Sequence, residues 1–151
     1  NISSLYVARE YLEDTFIIDG DQILSNPDIL TPGFLRSGYC AAWAENTNEW
    51  LLTLEKGIVT HCSRTGGQKG YQLYGVSLWS AADGQRLKGH LEQEFIKRKR
   101  VDIYWDDIAL FCYPDEYRLG IREISHSDIK EIDNFDELLE MDSSYETYRG
   151  L

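Results

Sequence analysis

Apolar and polar positions along this chain fall into short blocks, and each block predicts a compact element. Ser3 to Glu13 places Leu5, Ala8 and Leu12 on one helical face, which predicts a helix with Ser3 or Ser4 as its N-cap. Thr15-Phe16-Ile17-Ile18 is an unbroken apolar or β-branched run, the pattern of a central parallel strand buried on both faces. Pro27 and Pro32 restrict residues 21–34 to turns or a short helix. Strands are predicted at 38–44, 49–54 and 57–63, with Glu55-Lys56-Gly57 as a hairpin turn. A polar, glycine-rich loop from Arg64 to Gly70 then leads into a strand over 71–79, with Gln72, Tyr74, Val76 and Leu78 on one face. Ser80 caps a predicted helix of roughly twenty residues that ends near Arg100. A second helix is expected over 104–113 and stops at Pro114. Short strands at 120–124 and 129–132 and a helix over 134–141 close the series, with Phe135, Leu138 and Leu139 facing inward. The order predicts an α/β fold with a mixed, mostly parallel sheet.

No repeat, linker or low-complexity stretch divides the 151 residues, so residues 1–151 read as part of one domain. Hydrophobic residues make up 42% of the chain, enough for a packed core rather than disorder. A net charge of -11 argues against nucleic acid as a partner. The one basic run, Lys97-Arg98-Lys99-Arg100, continues a helical pattern and is expected to project into water. Cys40, Cys62 and Cys112 sit in apolar runs without metal-ligand spacing, which suits buried free thiols in a reducing cytoplasm. No apolar run approaches membrane-spanning length and no signal-peptide pattern opens the chain, so no membrane insertion is expected.

The candidate chemistry lies in three acidic clusters. The strand at 15–18 ends in Asp19-Gly20-Asp21, and the C-terminal ends of strands are where ligands bind in open α/β sheets. Two carboxylates so close repel unless a cation or donor lies between them, so the pair reads as a divalent-metal site. It reads equally well as an acidic turn, since Asp and Gly are common turn residues. Tyr104-Trp105-Asp106-Asp107 joins two aromatics to two acids. That pattern suits a pocket for a cation such as a quaternary ammonium, completed by Trp50, Tyr71 and Tyr74, and it suits a helix N-terminus equally. Glu131 and Asp133 share one face of a strand end. They can meet Asp21 in an oxygen shell for Mg²⁺, or simply precede a capped helix. Arg64, Lys69 and three glycines in the 64–70 loop offer weaker phosphate contacts without P-loop spacing. His61, His90 and His126 have no nucleophile at diagnostic spacing and read as surface or core residues.

Taken in order, NISSL, FIIDGD, NEWLL, SRTGG with QLYGVSLW, YWDDIALF and EIDNFDEL resemble the bacterial CTP:phosphocholine cytidylyltransferases, members of the nucleotidyltransferase superfamily. The resemblance extends from residue 1 to about residue 145. It implies a Rossmann-like nucleotidyltransferase fold and a reaction of CTP with phosphocholine that gives CDP-choline and pyrophosphate, with Mg²⁺ as cofactor. Asp21 would be the principal metal ligand, and Glu131 and Asp133 match the second acidic metal motif. Trp50 matches an aromatic that faces choline, with Tyr104, Trp105 and Asp106 against the same trimethylammonium group and Tyr74 counted in the same substrate pocket. Asn1, Ser3 and Ser4 match the segment near the cytosine, and Asp19 is grouped with these nucleotide-binding residues. Asp21 and Asp106 are the expected catalytic residues.

The chain departs from the family in one respect. A first strand and a GxGxRxxPxTxxxPK signature, which hold the triphosphate in the family, have no match here. The expectation is therefore an N-terminally truncated domain, the C-terminal two thirds, with weak CTP binding, impaired turnover and a sheet edge open to homo-oligomer formation. Other readings of the same residues are a DxD-type nucleotide-sugar glycosyltransferase and a choline- or amine-binding module without catalysis. A haloacid-dehalogenase-type phosphatase fits less well, because Gln22-Ile23 follows the acids.

Overall fold

The structure, a computed structural model, describes residues 1–150. Its centre is a long strand, β6 (Gly67–Trp79), the spine of a six-stranded sheet with β1 (Thr15–Ile18), β3 (Gly38–Thr47), β4 (Leu51–Glu55), β5 (Ile58–Ser63) and β7 (Gly120–Glu123). One edge of β6 pairs with β3 along nearly its whole length, from Gly38↔Leu78 to Thr47↔Gly67. The other edge is shared. Its first part takes β4 (Leu52↔Tyr71) and its last part takes β1 (Ile18↔Val76 to Thr15↔Trp79). A separate two-stranded ribbon joins β2 (Gln22–Leu24) to β8 (Ile129–Glu131), with Gln22 opposite Glu131.

The α/β class and the mixed sheet are as the sequence predicts, but the sheet is mostly antiparallel. Only β3–β7 is parallel. The reason is the shortness of the connections. Lys56 and Gly57, both at positive φ, turn β4 into β5 in two residues, which only an antiparallel pair allows. β1 is not a central strand buried on both faces. It pairs with β6 alone and leaves Ile18 exposed. A four-residue apolar run has the same composition whether one edge or both are paired, so the distinction is invisible locally.

Other boundaries also move. The first helix, α1, spans only Ile2–Val7, because Asn1 rather than a serine caps it, its side chain accepting from the Ser3 amide. Ile2, Leu5 and Leu12 are buried, while Ala8 is exposed at the junction with a short 3₁₀ turn. Most of the predicted 64–70 loop belongs to β6. The turn is confined to the residues before Gly67, where Gly66 adopts φ +70° and a Cβ would lie 2.0 Å from the Thr47 carbonyl. The helix after Ser80 exists as α2 (Ala81–Leu91), continued by a π-helical stretch over Glu92–Lys97. The 104–113 segment is helical only over Ile108–Cys112, since the Asp107 carboxylate accepts the Tyr104 amide and holds the preceding residues in a turn. The last helix, α3 (Phe135–Met141), is capped by Asn134, and its Phe135, Leu138 and Leu139 are only half-buried.

The sheet carries a core on each face. One is built around Trp79, Leu87, Leu91, Ile108 and Trp105, under α1, α2 and the 103–119 segment. The other holds Tyr74, Val76, Cys40, Ala42, Ile29 and Ile129. Cys40 and Cys62 are buried free thiols, pushed up to about 11 and about 12 by burial, and Cys112 is a partly buried free thiol. The basic run is not wholly solvated. Arg98 donates to Glu94, a carboxylate with no exposed surface, at 2.6 Å, and the Tyr113 hydroxyl donates to the same oxygen at 2.6 Å. Lys97 and Lys99 remain exposed.

Candidate functional site

The site forms where the edge of β6 changes partner. The Leu73 amide donates to the Trp50 carbonyl, and two residues later the Asp19 amide donates to the Gly75 carbonyl at 2.7 Å. β4 has ended its pairing here and β1 has not begun, so Leu73 and Gly75 floor a gap flanked by Trp50 and Asp19. The gap opens into a cavity of about 320 Å³ whose walls include Asp21, Glu131 and Asp133 as well as Asp19, Trp50 and Asp106. A second cleft of about 540 Å³ runs between α1 and β1 and shares Asp19, Asp21, Tyr104 and Asp106 with the first.

The β2–β8 ribbon brings the remote acids together. Besides the ladder, the Ile132 amide donates to the Asp21 carbonyl at 2.9 Å. Carboxylate oxygens of Asp21, Glu131 and Asp133 come within 4.8 Å of one another. Burial and the neighbouring Asp133 and Asp21 charges push Glu131 up to about 7. Such a cluster of like charges favours either a proton or a cation. Three hard oxygen donors suit Mg²⁺ or Mn²⁺.

The aromatic and acidic patch assembles only in part. Trp50 and Tyr104 both line the smaller cavity, edge to face with ring centres 6.0 Å apart. Trp105 is mostly a core residue that also lines the larger cleft. Its ring packs against Tyr39 and Trp79, and its indole N–H donates to Asp19 Oδ1 at 3.1 Å. Tyr74 leaves the expected pocket altogether. Alternation along β6 turns it to the face opposite Leu73, where its hydroxyl pairs with His126 Nδ1 at 2.8 Å. Asp106 is buried, and desolvation together with the Asp19 charge pushes its carboxyl well above the usual range. Asp19 is itself raised, mainly by burial, against the opposing effect of the Trp105 hydrogen bond. Asp107 points elsewhere, to Arg64 at 2.5 Å, and Arg64 lies over the Phe111 ring at 3.9 Å. Asn1 and Ser4 line the larger cleft, whereas Ser3 bonds back to Asn1.

Sequence reasoning missed Glu49, Leu73 and Gly75. Glu49 sits beside Trp50 in NEW and was available as a signal. Gly75 could be found only from packing, since a Cβ there would meet Asp19 Oδ2 at 2.5 Å.

A β6 spine with a carboxylate-lined cavity at its shared edge is the architecture of a nucleotidyltransferase fold. The CTP:phosphocholine cytidylyltransferase of Streptococcus pneumoniae superposes with a TM-score of 0.81 at 26% identity, over 95% of this chain and 63% of that one. The chain is a relative of bacterial cytidylyltransferases of this superfamily. It is 30% identical over 149 residues to the 2-aminoethylphosphonate cytidylyltransferase of Lancefieldella rimae, covering 96% of this chain and 60% of that protein. It is 28% identical over 147 residues to the choline-phosphate cytidylyltransferase of Streptococcus pneumoniae, covering 97% and 57%. The chain thus spans about 60% of the length of these relatives. No protein-family model matches it.

Proposed function

We propose that this chain carries the metal- and acceptor-binding part of a cytidylyltransferase. In the reaction, an oxygen of a small amine-bearing phosphate or phosphonate attacks the α-phosphorus of CTP. The bond between the α-phosphorus and the bridging oxygen to the β-phosphorus breaks, and pyrophosphate leaves. Phosphocholine, the acceptor implied by the sequence resemblance, and 2-aminoethylphosphonate, named for a relative, both fall in this class. The observation that carries the reading is the convergence of Asp21, Glu131 and Asp133 in the wall of a cavity that also holds Trp50, Tyr104 and Asp106.

Phosphoryl transfer between anions needs positioning and charge neutralisation more than a protein nucleophile. Asp21, Glu131 and Asp133 would hold Mg²⁺, which when bound offsets the negative charge of the phosphates. Asp106 and Asp19, with the faces of Trp50 and Tyr104, orient the amine end so that the phosphate end points toward the carboxylate cluster. The larger cleft along α1 and β1, with Asn1 and Ser4 in its wall, is the proposed course of the nucleotide.

The test is Mn²⁺ binding followed by water-proton relaxation, together with pyrophosphate release from CTP in the presence of each amine phosphate. Asp21→Asn is expected to lower Mn²⁺ affinity at least tenfold while the fold stays intact by circular dichroism. Wild-type Mn²⁺ affinity in that variant would overturn the metal assignment.

A further inference from the structure

Arg64 stands behind the aromatic wall of the smaller cavity without lining it. It lies in the turn between β5 and β6. Ser63 Oγ stiffens that turn by donating to the Gly66 carbonyl at 2.6 Å, and Gly66 packs too tightly on the Thr47 carbonyl to admit a Cβ. From this base the guanidinium reaches Asp107, whose side chain is 4% exposed against 47% for Arg64. Asp107 uses its two oxygens in different directions. Oδ1 accepts from Arg64, and Oδ2 accepts from the Tyr104 amide at 2.9 Å.

The guanidinium also lies 3.9 Å over the Phe111 ring centre and 5.6 Å from that of Trp50, within cation–π range of both. Trp50 in turn meets Phe111 and Tyr104 edge to face, with ring centres 5.6 and 6.0 Å apart. The contacts close a circuit. It runs from Arg64 to Asp107, to the Tyr104 backbone, to Trp50, and through Phe111 back to Arg64. Tyr104 is exposed and Trp50 half-buried, so core packing alone fixes neither ring. Edge-to-face ring pairs are weak and tolerate sliding. The ion pair does not, because moving Arg64 away strands the Asp107 carboxylate in the interior.

We propose that Arg64 and Asp107 are positioning residues for the acceptor. Their ion pair, outside the cavity, sets the spacing and tilt of the Trp50 and Tyr104 rings. This inference rests on the cytidylyltransferase reading above, in which those two rings face the acceptor.

The test compares wild type with Arg64→Met, Arg64→Lys and the double variant Arg64→Met with Asp107→Asn. The double variant leaves no stranded charge, so it decides the matter even if Arg64→Met fails to fold. The chains carry 5-fluorotryptophan, and Trp50→Phe identifies the Trp50 signal. In fluorine NMR the Trp50 resonance should shift or broaden in the double variant, while that of Trp79, deep in the core, stays in place. Calorimetric titration with phosphocholine and with 2-aminoethylphosphonate, Mg²⁺ present, measures acceptor affinity. The tighter of the two should bind the double variant at least fivefold more weakly than wild type. Arg64→Lys, which keeps a cation facing Asp107, should lie closer to wild type. Mn²⁺ affinity, followed by water-proton relaxation, should stay within twofold in every variant. Acceptor affinity within twofold of wild type in the double variant, or a loss matched by an equal loss of Mn²⁺ affinity, would overturn the positioning role and leave the cytidylyltransferase reading standing. Failure of both acceptors to bind the wild-type chain would overturn that reading and the positioning role with it.

Discussion

Single residues in the cavity are governed by what surrounds their charges. Glu131 gains its upward shift from burial first and from Asp133 and Asp21 second, so a cation competes with a proton for the same oxygens. At pH 6 this carboxyl is mostly protonated, and at pH 8 it is mostly ionised and available. Mn²⁺ affinity, and the increase in thermal midpoint that the metal produces, should therefore grow from pH 6 to pH 8. Glu131→Gln should flatten that dependence, which scanning calorimetry with and without metal would reveal. A wild-type chain with the same metal-induced shift at both pH values would remove Glu131 from the metal site. The same reasoning separates Asp106 from its neighbour Asp107. Asp107 pairs with Arg64, whereas Asp106 is buried beside the Tyr39 hydroxyl and the Asp19 charge. Adjacent, chemically identical residues acquire different electrostatic surroundings because a one-residue step turns them toward different parts of the fold.

At the scale of elements, the β2–β8 ribbon is the part that makes a site from separate acidic turns. Its turn is fastened by Asp128, which accepts from the Ser125 amide at 2.8 Å and from Asn26 Nδ2 at 3.1 Å. The Asp128 carbonyl also receives the Ser25 amide. Asp128→Ala should cost about 1–2 kcal/mol through the lost side-chain bonds. It should also weaken Mn²⁺ binding several-fold, because Asp21 and Glu131 lose their shared frame. Urea unfolding and metal titration of this variant check the two effects separately. Unchanged metal affinity would show that the ribbon keeps its register without that turn. Local signals did predict much at this scale. Lys56-Gly57 marked its hairpin, Ser80 and Asn134 marked helix starts, and the strands at 38–44 and 71–79 lie within β3 and β6. What local pattern could not convey was strand direction or which edge of β1 is paired, since both depend on residues distant in the chain.

In the whole molecule, the site depends on how α2 and β6 are held. Gly84 lets α2 lie directly against the chain at Leu12, where a Cβ would come within 2.0 Å of the carbonyl oxygen. Gly84→Ala should destabilise the fold by about 1–3 kcal/mol through overpacking. Urea unfolding would show a lower midpoint with an unchanged slope, and a midpoint equal to wild type would mean that α2 shifts freely. Trp79 and Trp105 in the same core then fix the indole N–H that orients Asp19, so core packing extends directly into the cavity wall. Among the described residues no helix is long and apolar enough to cross a membrane.

The division between sequence and structure follows from the range over which each feature is encoded. TFIIDGD, NEW, YWDD and EIDN each announce a short element and its acidic or aromatic end within a few residues, so the sequence alone determined where the candidate chemistry lies and the α/β class that carries it. The convergence of Asp21 with Glu131 and Asp133 required the antiparallel ribbon between distant segments. The departure of Tyr74 from the pocket and of Trp105 into the core required the register of β6 and the packing of its two faces. Tertiary structure alone decided which of the aromatic residues still face a ligand, because side-chain direction in a shared sheet is set by the strands on either side.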